Sequence, residues 1–415
     1  MRRGPLRETA FALLFAGRAI SALGDRLVPV ALAFAVLELT RGSVTDLGIV
    51  FTAQTVPLVV FVLLGGVWAD RLPRQFVMLA SDGVRAIAQG LTAALLLAGV
   101  AHVWEIAALQ AVYGTAEAFF GPASTAVVPQ TVDQSSLQQA NALLGLSGNV
   151  AAVLGPALAG VLVATAGPGW GLAVDAATFV ASAACLAFMR LAPVAPAASS
   201  STLAQLRRGW RAFRSRTWLW VTVAYFTLFL AFVYGPLYVL GPQVARLSLG
   251  GTAAWAAIST ALGIGSLLGG LLGMRWHPRH PLRAAFLGFG VAGPALLALI
   301  AAHAPLELVL VAALLDGGSG TVFNTFWFTA LQREVPAREL SRVSSWDYVG
   351  SLALYPVGLA LSGPVAGAIG VSTTLYGAAV LFALLLCAVL AVPAVRNFTP
   401  APAPAAARGG RGEIR

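Results

Sequence analysis

Long apolar stretches follow one another along the whole chain, and short polar segments separate them. Each stretch has roughly the 20 apolar residues that an α-helix needs to cross the hydrocarbon core of a bilayer. Helices are expected because hydrocarbon offers no partner to free backbone groups, and continuous runs differ from the alternating segments of a membrane barrel. The pattern predicts twelve transmembrane helices over residues 10–37, 46–68, 76–100, 104–127, 140–166, 169–190, 217–241, 252–274, 283–302, 305–330, 342–369 and 372–395.

A polar, arginine-rich segment divides these spans into two sets of six. Its last part, residues 203–216, has the pattern of an amphipathic helix at the membrane interface. The end of the chain is rich in Pro, Ala, Gly and Arg, and we expect it to be disordered. The predicted parts are a six-helix bundle (1–190, the first half), a cytoplasmic linker (191–216), a second bundle (217–395, the second half) and a disordered cytoplasmic tail (396–415).

The two halves resemble repeats of one another. A shift of 204 residues lays Gly65 and Gly66 over Gly269 and Gly270, and a shift of 203 lays Gly155 over Gly358. Parallel repeats of six spans are typical of transporters that move two halves around a site near the middle of the membrane. The fold class is therefore an all-α membrane protein with two pseudo-symmetric six-helix bundles.

Composition agrees with a multi-pass membrane protein, since 58% of the residues are hydrophobic, 10% are charged and the mean hydropathy is +0.83. The net charge of +10 comes from arginine alone, because the chain has no lysine. Most arginines lie in alternate loops, such as the one with Arg71 and Arg74, whereas the opposite loops carry Arg41 and Arg246. The positive-inside rule then predicts that both termini are cytoplasmic. The charge indicates topology and does not indicate nucleic-acid binding.

Charged residues inside the spans are costly and are therefore functional candidates. Asp25 is the first candidate for proton coupling and Glu117 the second, because coupling needs an intramembrane carboxylate that can gain and lose a proton. Arg18 shares a helical face with Asp25, and we expect it to neutralise Asp25 or Glu117. Asp82 and Arg85 are supporting charges one turn apart, for which a structural ion pair is the favoured interpretation.

Polar and aromatic residues within the spans are candidates for lining a cavity for an amphipathic or cationic molecule. Most of the aromatic side chains are expected to pack between helices or face lipid. The cavity candidates are Gln110, Tyr234, Asp316, Phe323 and Trp327.

No metal-spaced His/Cys cluster, nucleotide-binding loop or catalytic set occurs in the sequence. We therefore expect no metal, no cofactor, no ATP-driven pumping and no enzymatic activity. An intramembrane enzyme is a remote alternative.

The segment from Gly65 to Arg74, between spans two and three, reads GGVWADRLPR. It resembles the G-x-x-x-D-R-x-x-R signature of the major facilitator superfamily. The resemblance implies a cytoplasmic gate formed by Gly65, Gly66, Asp70, Arg71 and Arg74, to which we add Asp347 at the start of span eleven. Gln75 stands where the family has a further basic residue, and Met274 replaces the aspartate in the second-half copy.

Span five contains Gly155-Pro156, followed by Gly160, and resembles the G-P-x-x-G-G motif of drug:proton antiporters with Ala159 in place of one glycine. Such residues permit tight helix packing and are expected to close a leak path. The motif favours export over uptake.

Residues 7–190 as a whole are similar to twelve-span exporters of enterobactin and macrolides. The run Gly17-Arg18 with Asp25, followed by Ser81-Asp82 with Arg85, carries this likeness. It implies a proton-coupled exporter, of a drug, siderophore or secondary metabolite, that works by alternating access. The alternative within transport is proton-driven uptake of a nutrient. We expect a monomer in a bacterial cytoplasmic membrane whose partners are the bilayer, protons and a small amphipathic substrate.

Overall fold

The computed structural model describes residues 5–133, 136–191 and 202–399; for 63–71, 138, 202–206, 337–338 and 341–342 it describes the backbone only. The described part is α-helical, with no strand in these ranges. The start of the predicted disordered tail (396–415) is ordered: Arg396 ends a helix, and the buried Phe398 ring lies 4.9 Å from that of Trp218. The expected disorder from residue 400 onwards lies outside the described residues.

In the described ranges, the first half contains seven α-helices that form six long helical bodies. They are α1 (Thr9–Asp25), α2 (Val28–Leu39), α3 (Val44–Arg71), α4 (Arg74–Leu97), α5 (Val103–Val127), α6 (Leu137–Ala166) and α7 (Pro168–Phe188). Helices α1 and α2 make one span. The observed ends lie within a few residues of the predicted ones.

The second half follows α8 (Thr202–Arg214), the helix predicted in the linker. Its helices are α9 (Thr217–Phe229), α10 (Gly235–Val244), α11 (Thr252–Arg275), α12 (Pro281–Ala301), α13 (Leu306–Glu334), α14 (Ala337–Leu352), α15 (Tyr355–Ile369), α16 (Val371–Ala391) and α17 (Pro393–Arg396). The π-helical segments Leu230–Tyr234 and Ala245–Leu249 flank α10, so that α9, α10 and these segments form one span.

Ten helical bodies in the described ranges are long and apolar enough to cross a membrane. Helices α4 and α5 are 24 and 25 residues long, which is also a membrane-crossing length, but their polar residues make them less apolar. The all-α fold with transmembrane helices is confirmed, and the total of twelve spans stays a prediction.

Two of the spans are interrupted four residues before a proline. Helix α1 ends at Asp25, four residues before Pro29, and α14 ends at Leu352, four residues before Pro356. A proline lacks the N–H that would bond the carbonyl four residues earlier, and its ring collides with that carbonyl. Pro29 therefore ends the helix at the candidate coupling residue.

The linker helix α8 packs on the second half. The ring of Trp210 lies 4.9 Å from that of Trp346 on α14, and Arg216 forms a 3.3 Å ion pair with Glu339. The predicted linker therefore has a helical part, and that part packs on the second half.

The two halves contact each other near the loops that carry Arg41 and Arg246, which we call the arginine-poor end. Arg246 donates a hydrogen bond to the carbonyl oxygen of Leu37 at 2.9 Å, and Thr52 donates one to the carbonyl oxygen of Pro356 at 3.2 Å. Gly48 of α3 lies against the Leu359 carbonyl of α15. These contacts join α2 and α3 to the second half and close this end of the molecule.

Helix α6 of the first half packs on the second half in one part of its length. Gly145 and Gly148 lie in the part of α6 nearer the arginine-rich end, and no described atom of another helix lies within 4 Å of the position that a Cβ would occupy. Gly160, near the other end of the same helix, packs on Ala256 of α11. The packing of α6 on α11 thus lies towards the arginine-poor end.

Candidate functional site

A buried ion pair lies inside the first half. Arg85 on α4 is 2% exposed and donates a hydrogen bond to Asp82, one turn earlier on the same helix. The other carboxylate oxygen of Asp82 accepts a 2.6 Å hydrogen bond from Ser182 on α7. The structure thus contains the Asp82–Arg85 pair that the spacing predicts, and α7 contributes a partner that the sequence did not indicate.

Asp25 joins this pair from another helix. Nη1 of Arg85 lies 3.7 Å from Oδ1 of Asp25, and the hydroxyl of Tyr113 on α5 donates a 2.8 Å hydrogen bond to the same oxygen. The Asp25 side chain is 38% exposed, while Arg85, Asp82 and Tyr113 are buried. Asp25 is therefore the member of the group that solvent, protons or a substrate can reach.

Two aromatic rings hold the Arg85 guanidinium in place. Its carbon lies 4.2 Å from the ring centre of Phe120 and 4.2 Å from that of Phe179. A cation against the face of an aromatic ring is stabilised by the ring quadrupole, more strongly when water is excluded. The charge that faces Asp25 and Asp82 is consequently fixed in position.

A chain of buried polar side chains runs beside this group. Gln110 on α5 donates a 2.9 Å hydrogen bond to Gln89 on α4, and Gln89 donates a 2.8 Å hydrogen bond to Asp175 on α7. All three are 0% exposed, and Oδ1 of Asp175 has no hydrogen-bond partner in the described ranges. Gln110, a predicted cavity residue, thus lies inside the first bundle in this conformation.

Glu117 and Arg18 occupy different positions relative to Asp25. Glu117 is half-buried on α5, one turn from Tyr113, and lies within electrostatic reach of Asp25 and Arg85. Tyr348 of α14 faces Glu117 from the second half. Arg18, expected to neutralise one of the two carboxylates, has no ion pair within 4 Å in the described part of the chain. Arg85 is the cation that the fold brings to Asp25.

The remaining cavity candidates lie in the second half, mostly in its interior. Asp316, Phe323 and Trp327 are 1%, 1% and 5% exposed, and Tyr234 is half-buried. Tyr234 donates a 3.3 Å hydrogen bond to Asp316. Phe323 packs in a cluster with Phe226 and other rings of the second half, which is the packing role expected for most of these aromatics. A cavity-lining role for these residues stays a prediction.

The gate motif is described in part. The structure describes only the backbone of four gate residues, Gly65, Gly66, Asp70 and Arg71. This backbone continues α3. Arg74 donates a 2.6 Å hydrogen bond to the carbonyl oxygen of Ala126 at the end of α5.

Two neighbours of the gate motif bond within their own halves. Gln75, which replaces a basic residue of the family motif, donates hydrogen bonds to the carbonyl oxygens of Leu186 and Met189 at 2.7 and 2.6 Å. Asp347 is 8% exposed and accepts a 3.1 Å hydrogen bond from the indole of Trp327. The gate roles of these residues stay predictions.

The glycines of the predicted antiporter motif lie where helices approach closely. A Cβ on Gly155 would overlap Arg26, which lies in the interruption between α1 and α2. A Cβ on Gly160 would overlap Ala256 of α11, across the boundary between the halves. Pro156 lies between them within the continuous helix α6. Gly155 thus supports the segment next to Asp25, and Gly160 allows the halves to close.

The arrangement can hold exchangeable protons. Arg85 contacts Asp25 and Asp82, and Glu117 and Asp175 lie within electrostatic reach of the same guanidinium. Like charges and burial both favour the neutral form of a carboxylic acid. A change in water access to this group would therefore bind or release a proton.

The predicted site residues do not include Tyr113, Ser182, Gln89 and Tyr348. Polar residues on apolar helices were a usable signal for Ser182 and Gln89. The directions in which the side chains of Tyr113 and Tyr348 point depend on helix rotation and on the contact between the halves.

The sequence profile of the Major Facilitator Superfamily matches residues 14–351. The chain belongs to this superfamily. The similar proteins include the "Multidrug efflux pump Tap" of Mycolicibacterium fortuitum, 29% identical over 97% of this chain and 99% of that protein. They also include "Macrolide efflux protein A" of Streptococcus pyogenes, 24% identical over 87% of this chain and 90% of that protein.

Solved structures of other transporters share the major facilitator fold. A bacterial homolog to the human lysosomal transporter Spinster, in an inward-facing and unoccupied conformation, superposes with a TM-score of 0.73 at 16% identity. The match covers 97% of this chain and all of that one. The nucleoside transporter NupG superposes with a TM-score of 0.72 at 14% identity, over 92% of this chain and 98% of that one. The superfamily match and the efflux-pump relatives identify the chain as a membrane transporter and not an enzyme.

Proposed function

We propose that this chain exports an amphipathic small molecule from the bacterial cytoplasm in exchange for protons. The observation that carries the proposal is the position of Asp25, a partly exposed carboxylate held by Arg85 and Tyr113 at an interruption of the first span. The similarity to the efflux pump Tap and to macrolide efflux protein A supports export and a drug-like substrate. A siderophore or a secondary metabolite belongs to the same chemical class.

Asp25 is suited to alternate between a proton and a substrate cation. Arg85 divides its charge between Asp82 and Asp25, and its separation from Asp25 is 3.7 Å, longer than a direct hydrogen bond. Asp25 is therefore incompletely neutralised, and a proton or a cationic group of the substrate completes the charge balance. Glu117 lies close enough to take part in the same exchange.

The contacts between the halves support alternating access. The seam at the arginine-poor end is closed, and the packing of α6 on α11 lies towards the same end. With the termini and the arginine-rich loops in the cytoplasm, as the positive-inside rule predicts, this conformation is open inwards. Cytoplasmic substrate then reaches Asp25, the proton leaves to the cytoplasm, and a proton from outside releases the substrate after the other end opens.

The gate residues complete the proposed cycle. Asp70, Arg71 and Arg74 lie at the arginine-rich end between α3 and α4, and Asp347 lies on α14 beside this end. In the outward-open state these residues would close the path from the cytoplasm through ion pairs and hydrogen bonds. The protein acts as a monomer in this proposal, since each chain supplies both halves.

The test is efflux of a fluorescent amphipathic cation from cells with the wild-type protein or Asp25→Asn, each with and without a protonophore. We expect efflux that the protonophore abolishes in the wild type and that falls at least tenfold in the variant. Asp133→Asn, which changes an exposed carboxylate, is the matched control and should behave as wild type. Efflux that survives both the protonophore and Asp25→Asn would rule out proton exchange at Asp25. Accumulation that rises with an inward proton gradient would instead indicate uptake.

A further inference from the structure

A second buried carboxylate lies in the other half, away from Asp25. Asp316 on α13 is 1% exposed, and its Oδ2 accepts the 3.3 Å hydrogen bond from Tyr234. Its Oδ1 is buried and has no hydrogen-bond partner among the residues that the structure describes. The buried hydroxyl of Tyr225 nearby is likewise without a partner there.

No cation balances this carboxylate. In the described ranges, Asp316 has no arginine or histidine within 4 Å. The groups that face it are the tyrosines Tyr225, Tyr234 and Tyr238 of the seventh span, and Tyr355 of α15 lies beside two of them.

The charged groups on the helices near Asp316 lie away from its carboxylate. The charged residues of α11 and α12 are Arg275 and Arg283, both at the arginine-rich ends of these helices. Asp347 of α14 contacts Trp327, three turns from Asp316, and Arg26 of the first half faces Tyr238. Among the described residues, an ionised Asp316 would thus be a buried charge without a counterion, which is unfavourable.

A short path of contacts connects Asp316 to the seam between the halves. Tyr234 is the last residue of the π-helical segment, whose Ala231 carbonyl touches Gly358 of α15 so closely that a Cβ would overlap it. The carbonyl of the next residue, Leu359, lies against Gly48 of the first half. Movement of Tyr234 therefore acts on the helix that closes the arginine-poor end.

We infer that Asp316 is a second proton-binding site and that its neutral, protonated form keeps the arginine-poor end closed. The inference rests on the proposed proton exchange. The proton binds at the buried Oδ1, which has no hydrogen-bond partner in the described part of the chain. Loss of that proton leaves a charge that must be hydrated or paired, which the closed packing around Tyr234 and Gly358 does not allow. Opening of the arginine-poor end relieves this cost.

The test measures the opening of the arginine-poor end by the distance between two spin labels. The labels are placed at Val100→Cys and Ala302→Cys, exposed loop positions of the two halves at this end, after replacement of Cys185 and Cys387 by serine. The protein is reconstituted in lipid nanodiscs without substrate and compared at acidic and alkaline pH. In the otherwise wild-type protein, the short distance should dominate at acidic pH, and a long distance should appear at alkaline pH.

Asp316→Asn mimics the protonated acid and should keep the short distance at both pH values. Glu307→Gln, an exposed carboxylate on the same helix, should respond to pH as the unmodified protein does. Tyr234→Phe removes a hydrogen bond that stabilises the ionised carboxylate, so the closed population should persist to a more alkaline pH. This variant retains the ring and tests the inference if Asp316→Asn does not fold.

The outcomes separate this inference from the proposed function. An unchanged pH response in both Asp316→Asn and Tyr234→Phe would overturn the role of Asp316. The role of Asp316 would also be overturned if the label distance in the wild-type protein did not change with pH while its dye efflux depended on the proton gradient. The proposed function would stand in that case. Efflux that does not depend on the proton gradient would overturn the proposed function itself.

Discussion

The guanidinium of Arg85 lies 3.7 Å from the carboxylate of Asp25, although the two residues belong to different spans. The same guanidinium is hydrogen-bonded to Asp82 and is enclosed by two phenylalanine rings. Arg85 is therefore a fixed positive charge inside the first half, and Asp25 is the partner that can gain or lose contact with it. The proposed proton exchange depends on this difference.

We predict that Arg85→Gln destabilises the protein by about 3–5 kcal/mol, because breaking a buried ion pair leaves carboxylates without a counterion. The double variant Arg85→Gln with Asp82→Asn should recover part of the loss, since it removes one of the buried charges. Thermal unfolding in detergent, followed for the wild type, both single variants and the double variant, measures the coupling energy. Additive effects would show that the two residues are not coupled.

The small residue at position 160 is predicted to be necessary for closure between the halves. Gly160→Val places a side chain where Ala256 of α11 lies, so the arginine-poor end cannot close fully. Efflux should fall at least tenfold, and the spin labels at positions 100 and 302 should report an open end. Gly145→Val is the matched control on the same helix, because Gly145 has no neighbour within 4 Å. Equal losses in the two variants would argue against a closing role.

The hydrogen bond from Arg246 to the Leu37 carbonyl is predicted to stabilise the closed seam. A hydrogen bond from a charged group contributes about 1.5–3 kcal/mol, so Arg246→Gln should raise the open population roughly tenfold or more. This population is measured with a cysteine introduced at Thr52, inside the seam. The readout is the rate at which a membrane-impermeant thiol reagent modifies that cysteine. Arg41→Gln changes an exposed arginine at the same end and should leave the rate unchanged. An unchanged rate in Arg246→Gln would show that this bond does not hold the seam.

Much of the fold could be predicted from the sequence because lipid imposes a simple rule on the chain. Long apolar runs must be helical, and the observed α3 to α7 begin and end within a few residues of the predicted spans. The interruptions at Asp25 and Leu352 were not predicted, although Pro29 and Pro356 mark them. A proline in a membrane helix is often tolerated without a break, so the sequence alone did not indicate which prolines interrupt a span.

The site could be predicted less completely than the fold. Asp25 and the Asp82–Arg85 pair follow from charge and helical spacing. The contact of Arg85 with Asp25 depends on how α1 and α4 are rotated against each other, so the spacing of charges did not indicate that Arg85 lies beside Asp25. The neutralising role expected for Arg18 stays a prediction. The burial of Gln110 and Asp316 within their own bundles also depends on helix rotation, which the spacing of polar residues in one helix does not determine.

Release of protons upon substrate addition tests the central claim most directly. Purified protein in weakly buffered detergent solution is mixed with an amphipathic cation that it exports, and a pH dye records the protons released. We predict that the wild type releases protons. Asp25→Asn should release fewer protons and bind the substrate at least tenfold more weakly. Asp133→Asn should behave as wild type. Proton release from Asp25→Asn equal to that of the wild type would contradict the account, because substrate and proton would then not compete at Asp25.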